Sequence, residues 1–262
     1  MIKNKRNFIL LMLIAIISLG GCKDCGTAPP LGPPDTEIIY PENGDTLSNA
    51  LIKFEWKGLN NPDKYCYKLD EETWSGWTKD TTAEFFLDEG SHTFTAKARN
   101  KMNSEDKSPA VCSFYIDAIK GPALWIKNRK TEAPVSLPCS IKVYAENVTN
   151  LMLGYIKLMY ENSKIKIGSI IADTTFLTKN GGEIQIIPEF NDSLPYLEVT
   201  IGVVGGEPKG VSGTGSLFTI NFLLKVSDST EIAFSSETEI RDTLNNPIPL
   251  DGGMWSCSII PE

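Results

Sequence analysis

Three glycines within six residues, Gly210, Gly213 and Gly215, run directly into an apolar segment and could cradle a phosphate. A phosphate loop must open a helix, whose N-terminus favours an anion, and a Lys-Ser or Lys-Thr pair follows its last glycine. The apolar and polar residues after Gly215 instead alternate as in a strand, and no such pair is present. We therefore predict no nucleotide site, and we interpret the glycines as the permissive backbone of a loop that enters a strand at Ser216–Val226.

The single histidine, His92, limits the catalytic chemistry that the chain could perform. It shares its strand phase with Phe94, Ala96 and Ala98, and such a histidine is usually structural. A Ser-His-Asp set around it would require two separate domains to meet, and no G-x-S-x-G motif exists. No cysteine lies at metal-ligand spacing from it, so the sequence predicts no metal site.

Two further groups of residues could act on saccharides. Paired carboxylates, Glu71-Glu72 or Glu237 with Glu239, could serve a glycosidase, although acids on turns and strands are more often solvated surface. Trp74 and Trp77 could form a platform for stacking sugars, although packing beside core aromatics explains them as well. We predict no catalytic residues and no cofactor, and hence a protein that is not an enzyme.

The N-terminal residues indicate export. Lys3, Lys5 and Arg6 precede an apolar stretch from Phe8 to Leu19, which has the length of a signal sequence and is short for a membrane span. Leu19-Gly20-Gly21-Cys22 then resembles the lipobox of bacterial lipoproteins. The resemblance implies cleavage of residues 1–21 and lipidation of Cys22; an ordinary secretory signal is the alternative.

Residues 22–35 predict a tether, because four prolines within six residues favour an extended spacer. The expected location is the bacterial cell envelope, lipid-anchored at the outer membrane or cell surface. Lys23-Asp24 resembles the start of a surface-export signal, and the choice between the periplasmic and the outer face stays open.

Removing residues 1–21 takes away three positive charges and moves the formal charge from −8 to −11, so we expect no nucleic-acid partner.

The cysteines after the anchor lie in a compartment where disulfides can form. Cys66 and Cys112 have opposite strand phases relative to the core, which predicts that they cannot pair. Cys139 and Cys257 are a second possible pair near two strand ends.

From Thr36 onward the chain alternates in short runs with no helical period, which predicts an all-β protein. About seven strands are expected over residues 36–117. The segments Phe54-Glu55-Trp56, Trp74-Ser75-Gly76-Trp77 and Glu89–Phe94 resemble bacterial fibronectin type III-like modules, whose fold is an immunoglobulin-like sandwich. Such modules act mostly as spacers.

Residues 121–262 predict a second sandwich with nine or ten strands, of the jelly-roll type. Its candidate strands include Ala123–Lys130, Cys139–Val148, Leu151–Tyr160, Tyr196–Val204, Ser216–Val226 and Met254–Ile260.

The order of motifs in this region is similar to that of cohesin domains. These motifs are Ile141–Val148, Asn150-Leu151, Gly154–Glu161, the stretch Gly213–Phe222, Arg241-Asp242 and Asp251-Gly252-Gly253. The Asp-Pro that follows the family's tyrosine is replaced by Glu161-Asn162, and the chain has no calcium loop of its own that would indicate a dockerin. The expected architecture is two β-sandwiches in series, the first fibronectin type III/Ig-like and the second cohesin-like.

The resemblance implies a non-catalytic scaffold that docks a dockerin-bearing protein, in polysaccharide breakdown or surface assembly. A carbohydrate-binding protein with a polysaccharide partner is the alternative, and a structural adhesin a weaker one. Strand alternation predicts that Ile156, Leu158 and Tyr160 are buried while their neighbours face outward. The candidate partner-binding residues are Tyr155, Lys157, Met159, Glu198 and Thr200; ordinary solvent-facing positions are the alternative.

Overall fold

A computed structural model describes residues 32–262 of the chain. The signal segment, Cys22 and most of the proline-rich tether therefore lie outside the described residues. Within them the prediction of an all-β class is confirmed, since eighteen strands are accompanied by one four-residue helix. The helix, α1 (Thr174–Leu177), was not predicted from the sequence; Asp173 caps it by accepting from the N–H of Thr175.

The strands follow in chain order. They are β1 (Asp35–Tyr40), β2 (Thr46–Leu47), β3 (Leu51–Leu59), β4 (Lys64–Leu69), β5 (Thr82–Phe86), β6 (Gly90–Arg99), β7 (Ala110–Ile116), β8 (Ala123–Ile126), β9 (Lys130–Ala133), β10 (Pro138–Tyr160), β11 (Ile165–Ala172), β12 (Gly182–Glu189), β13 (Tyr196–Gly205), β14 (Val211–Leu224), β15 (Thr230–Phe234), β16 (Glu239–Asp242), β17 (Met254–Trp255) and β18 (Cys257–Pro261).

The N-terminal sandwich, strands β1 to β7, packs a three-stranded sheet against a four-stranded one. The orders are β1-β3-β5 and β2-β7-β6-β4. Alternation along β3 buries Ile52, Phe54 and Trp56 between the sheets. Phe54 stacks on Phe94 of the opposite sheet with ring centroids 4.1 Å apart. Aromatic contact across the two layers therefore holds this core together.

The C-terminal sandwich, strands β8 to β18, is organised by one 23-residue strand. Two strands were predicted at Cys139–Val148 and Leu151–Tyr160; the structure joins them as β10. Its first part pairs with β14 and β8, and its last part pairs with β13, β15 and β16. The separate-strand prediction is wrong because β10 continues through the corner and passes from one layer of the sandwich to the other.

Two asparagines make that corner. Asn147 and Asn150 have φ of 49° and 53°, and the register with β14 shifts on both sides of Val148. Asparagine tolerates this left-handed conformation better than most residues. The backbone N–H of Asn150 donates to Ser212 Oγ at 2.8 Å, so a side chain of β14 replaces a lost ladder bond. The strand can thus bend without leaving this N–H group unpaired.

Two of the three glycines between residues 210 and 215 lie inside a strand. The predicted strand Ser216–Val226 begins five residues earlier, at Val211, so Gly213 and Gly215 belong to β14 and the loop interpretation is wrong for them. A Cβ on Gly215 would lie 2.2 Å from Cγ of Phe176. Glycine is needed here because α1 packs directly on the backbone of β14.

Two other predicted strands are divided. Ala123–Lys130 becomes β8 and β9, because Asn128 adopts φ 60° between them, and Met254–Ile260 becomes β17 and β18 with a break at Ser256. β8 and β9 then pair in parallel with β17 and β18. A local alternation pattern does not show such breaks, because they depend on the partner strands.

The four cysteines of the described residues are free thiols, so the possible Cys139–Cys257 pair is wrong. Cys112 lies in the N-terminal core, and Cys66 is buried outside that core cluster. Burial raises the pKa of Cys66 and of Cys257 to about 11. These two thiols are therefore protonated and poorly reactive at neutral pH.

Candidate binding face

The last part of β10 and the strands beside it form one layer of the C-terminal sandwich. β13 pairs with β10 on one side and β16 pairs with it on the other, while β12 lies at the edge beside β13. Ile156 and Leu158 are fully buried, as are Leu197 and Val199 of β13. The alternate residues of these four strands make up the outward surface, which we call the binding face.

The register of β10 and β13 brings all five predicted site residues together. Tyr155 lies opposite Thr200, Lys157 lies opposite Glu198, and Met159 lies opposite Tyr196. Directly opposed residues of an antiparallel pair project from the same side of the sheet. The five residues therefore form one contiguous patch; their role in binding a partner remains a prediction.

Lys157 lies at the centre of a polar network on this patch. Its Nζ is 3.2 Å from Oε1 of Glu198 and 3.0 Å from Oε2 of Glu237, and it lies 4.6 Å from the ring centroid of Tyr196. Its side chain is only 14% exposed. Lys157 faces outward as predicted, but two carboxylates and a ring enclose its ammonium group.

The network also fixes the ionised forms of its members. A hydrogen bond from the Tyr155 hydroxyl lowers the pKa of Glu198 below its usual value, and the hydrogen bond to Glu237 raises the pKa of Lys157. Glu198 and Lys157 are thus both charged at neutral pH. The centre of the face is preorganised, since its ring and charges are held by one another.

Sequence reasoning missed the carboxylate and the ring that complete the network. The alternation of β13 could have identified Tyr196 as a residue of this face, because Tyr196 and Glu198 point to the same side of the strand. Glu237 was considered only as half of a glycosidase pair with Glu239. The two acids instead form ion pairs with different cations, Glu237 with Lys157 and Glu239 with Arg241. Only the pairing of β16 with β10 brings them to this face.

Apolar side chains surround the polar centre. Met159 is 38% exposed, and Ile187 of β12 is 59% exposed opposite Thr200. Leu153 and Val204 line a depression of about 300 Å³ together with Gly202, Asp242 and Thr243. A face of this kind offers an apolar partner surface several contacts beside fixed charges.

The charge of the binding face is negative. The five outward carboxylates oppose two cations, Lys157 and Arg241, and both cations are already paired. These carboxylates are Glu183, Glu189, Glu198, Glu237 and Glu239. Glu189 lies directly opposite Glu198, so two like charges are neighbours. An excess of three negative charges over this surface favours a partner of opposite charge.

Solved structures that are similar to about half of this chain are cohesins. A non-cellulosomal cohesin from the hyperthermophilic archaeon Archaeoglobus fulgidus matches with TM-score 0.41 and 18% identity, over 53% of this chain and 90% of that one. CaCohA2 from Clostridium acetobutylicum matches with TM-score 0.44 and 14% identity, over 54% and 96%. The third cohesin ScaC of Acetivibrio cellulolyticus, in complex with the ScaB dockerin, matches with 0.42 and 16%, over 53% and 98%.

No protein-family model matches the chain, and no curated protein matches it either. Within residues 32–262, no three His, Cys, Asp or Glu side chains are grouped so that they could hold a metal ion. None of the helices in the same residues has the length and apolar character needed to cross a membrane.

Trp74 and Trp77 each have a cation beside the ring, although Trp74 is 39% exposed. Lys97 Nζ lies 4.8 Å from the ring centroid of Trp74 and 5.5 Å from that of Trp77, and the Arg99 guanidinium lies 4.4 Å from Trp77. Ser75 between them donates its N–H to the carbonyl of Tyr67 at 2.8 Å. The segment covers the edge of β4, which favours the packing interpretation over the sugar platform.

His92 also has structural partners. Its Nδ1 lies 2.8 Å from Oδ2 of Asp70 and its Nε2 lies 2.9 Å from the carbonyl oxygen of Asp88. Sequence spacing gave no sign of the Asp70 partner, because 22 residues separate it from His92. Both ring nitrogens form hydrogen bonds, and the imidazole thereby connects the end of β4 to the turn that precedes β6.

Proposed function

We propose that the chain is a surface-anchored, non-catalytic scaffold protein whose C-terminal sandwich docks a dockerin-bearing partner. The observation that carries the proposal is the register of β10 and β13, which assembles Tyr155, Lys157, Met159, Glu198 and Thr200 into one patch. The order of the cohesin-like motifs over residues 121–262 supports the choice of partner class. The N-terminal sandwich acts in this proposal as a spacer of the fibronectin type III type.

The charges and apolar side chains of the binding face limit the kinds of partner surface that fit it. Three unbalanced negative charges favour a partner surface rich in lysine or arginine, and Met159, Ile187 and Leu153 favour apolar side chains on that surface. Electrostatic complementarity mainly raises the association rate and selects the partner, whereas apolar burial supplies affinity. The partner's docking surface is accordingly basic, with apolar side chains among its cations.

Anchoring is a separate part of the proposal. Lipidation at Cys22 holds the chain at the bacterial envelope, and the tether of residues 22–35 lifts the sandwiches from the bilayer. Each buried CH₂ of an acyl chain contributes about 0.8 kcal/mol to membrane binding, so several chains give stable attachment. The proposed setting is assembly at the cell surface, in polysaccharide breakdown.

The test is capture of partners by the full chain in detergent, with dockerin-bearing proteins as prey. Samples contain calcium, a chelator, or calcium with soluble polysaccharide. The expected result is capture with calcium, loss with the chelator, and no effect of the polysaccharide, because the calcium sites belong to the dockerin. If calcium makes no difference and the polysaccharide competes, the chain is a carbohydrate-binding protein instead.

A further inference from the structure

Two depressions meet where the sandwiches adjoin. The first has a volume of about 310 Å³ and lies between the β4 end, the turn before β6, and Lys127 to Lys130. The second, of about 240 Å³, is lined by Ser140, Lys142 and Tyr144 of β10. Lys127 and Asn128 line both. We call the two together the junction groove; its first depression lies between the sandwiches, and clefts between domains are common ligand sites.

The second depression contains a fixed aromatic ring. Tyr144 stacks on Trp125 with ring centroids 4.6 Å apart and an interplanar angle of 24°. Trp125 is buried, and its Nε1 donates to Oε2 of Glu146 at 3.2 Å, which holds the indole in place. The half-buried Tyr144 therefore offers a preordered ring whose position costs little entropy on binding.

The polar lining of this depression is cationic. Its side chains are two ammonium groups, an amide and a hydroxyl, from Lys127, Lys142, Asn128 and Ser140, and its lining includes no carboxylate. Lys142 reaches Asp173 at 3.4 Å, whereas Lys127 forms no ion pair within residues 32–262. A chain with a formal charge of −8 thus places positive charge locally beside a ring.

In the first depression most charges are already satisfied. Asp70 accepts from His92, and Asp88 accepts from Arg129. Glu89 also lines this depression and accepts only from the backbone N–H groups of Ala118 and Ile119. Among the described residues, Glu72 and Lys130 have no partner of opposite charge, so the acids outnumber the cations here. This part of the groove therefore offers carboxylate acceptors for sugar hydroxyls, while the Tyr144 part attracts an anion.

We propose that the junction groove binds an oligosaccharide that carries carboxylate groups. A sugar ring packs its C–H groups on Tyr144, its carboxylate meets Lys127 and Lys142, and its hydroxyls bond with Asn128 and Ser140. The neighbouring sugar occupies the first depression with its hydroxyls toward the acids and its carboxylate toward Lys130. This site differs from the binding face, because Ser140 and Lys142 lie on the part of β10 that pairs with β14.

The test is titration calorimetry of the full chain in detergent with trigalacturonic acid. Galactotriose, which lacks the carboxylates, and triglutamate, which lacks sugar rings, are the comparison ligands. We expect trigalacturonic acid to bind at least about tenfold more tightly than either. Equal binding of galactotriose would overturn the role of the lysines, and equal binding of triglutamate would overturn the role of the sugar ring.

Variants locate the site. Lys127→Ala and Tyr144→Ala are each expected to weaken binding at least about tenfold, whereas Tyr144→Phe keeps the ring and most of the affinity. Lys107→Ala, another exposed lysine without an ion pair in the described chain, is the matched control. Unchanged affinity in Lys127→Ala would exclude the groove. Partner capture by the binding face is expected to be unchanged in all four variants, so the two proposals can fail separately.

Discussion

The Nε of Arg129 lies 3.3 Å from Oδ1 of Asp88, and this pair joins the two sandwiches. The guanidinium also donates to the carbonyl of Leu87 at 3.0 Å and lies over the rings of Phe86 and Trp255, 4.5 Å and 5.3 Å from their centroids. Nearby, Glu89 accepts from the N–H groups of Ala118 and Ile119 in the connecting segment. The junction is therefore hydrogen-bonded from both sides.

Arg129→Ala is expected to loosen this junction. A hydrogen bond to a charged group contributes about 1.5–3 kcal/mol, and removal leaves Asp88 largely buried without its cation. The measurement is thermal unfolding followed by calorimetry, in which a single transition is expected to broaden or divide into two. Arg241→Ala, which breaks an exposed ion pair, is the control and is expected to cost less than about 1 kcal/mol. Equal effects of the two variants would argue against a special role for the junction.

Tyr155→Ala combined with Met159→Ala is expected to abolish partner capture without unfolding the chain. Both side chains lie outward on the binding face, and aromatic anchors carry much of the energy at interfaces. The measurement is the amount of partner retained in the calcium sample. Tyr40→Ala with Met102→Ala changes the same residue types at exposed positions of the N-terminal sandwich. Retention of the partner by the first variant would remove the proposed face.

Glu89→Gln is expected to flatten the dependence of stability on pH. Burial raises the pKa of Glu89 above its usual value of 4.5, with the nearby Glu146 and Asp117 adding to the shift. A raised pKa means that its favourable contribution is complete below pH 4.5 and is lost as the pH rises through the folded-state value. Glutamine keeps an oxygen for the two N–H groups and carries no charge.

The measurement for Glu89→Gln is the free energy of unfolding in denaturant at pH 5, 6 and 7. The variant should gain stability relative to the original chain as the pH rises. Glu198→Gln is the contrasting control, because the pKa of Glu198 is lowered and its contribution is lost only as the pH falls through that lower value. A variant whose stability runs parallel to the original between pH 5 and 7 would contradict the prediction.

Gly215→Ala is expected to destabilise the C-terminal sandwich by about 1–3 kcal/mol, because an added methyl group overlaps the base of the Phe176 side chain. Gly76→Ala is the matched control, since nothing lies within 4 Å of its Cβ position. Chemical denaturation measures both. In a double-mutant cycle, Phe176→Ala and Gly215→Ala together should cost less than the sum of the two single changes, whereas additive costs would place the strain elsewhere.

Cys22→Ala is expected to move the chain from the membrane fraction to the soluble fraction of the host envelope, because the sulfur proposed to carry the lipid is lost. Mass spectrometry of the membrane-bound original chain should detect acyl groups on the residue 22 terminus. Cys25→Ala, three residues away, is the control and should stay with the membrane. An unmodified Cys22 in the mature chain would leave only secretion by an ordinary signal.

Much of the binding patch could be read from local alternation. The inward and outward phases of β10 and β13 follow from side chains that point to opposite faces of a strand, and the structure has the same phases for Tyr155, Met159 and Thr200. Alternation does not show which strands are neighbours. The enclosure of Lys157 by Glu198 and Glu237 was therefore not predictable, since 41 and 80 residues separate the partners along the chain.

The sequence by itself determined the all-β class and the side of each long strand that is buried, because both depend on the spacing of apolar residues within a few positions. Tertiary structure decided that β10 crosses between layers, that Gly215 lies under Phe176, and that Lys127 lines two depressions at once. These features depend on register and on packing between segments distant in the chain. Such contacts leave no periodic pattern in the residues that make them.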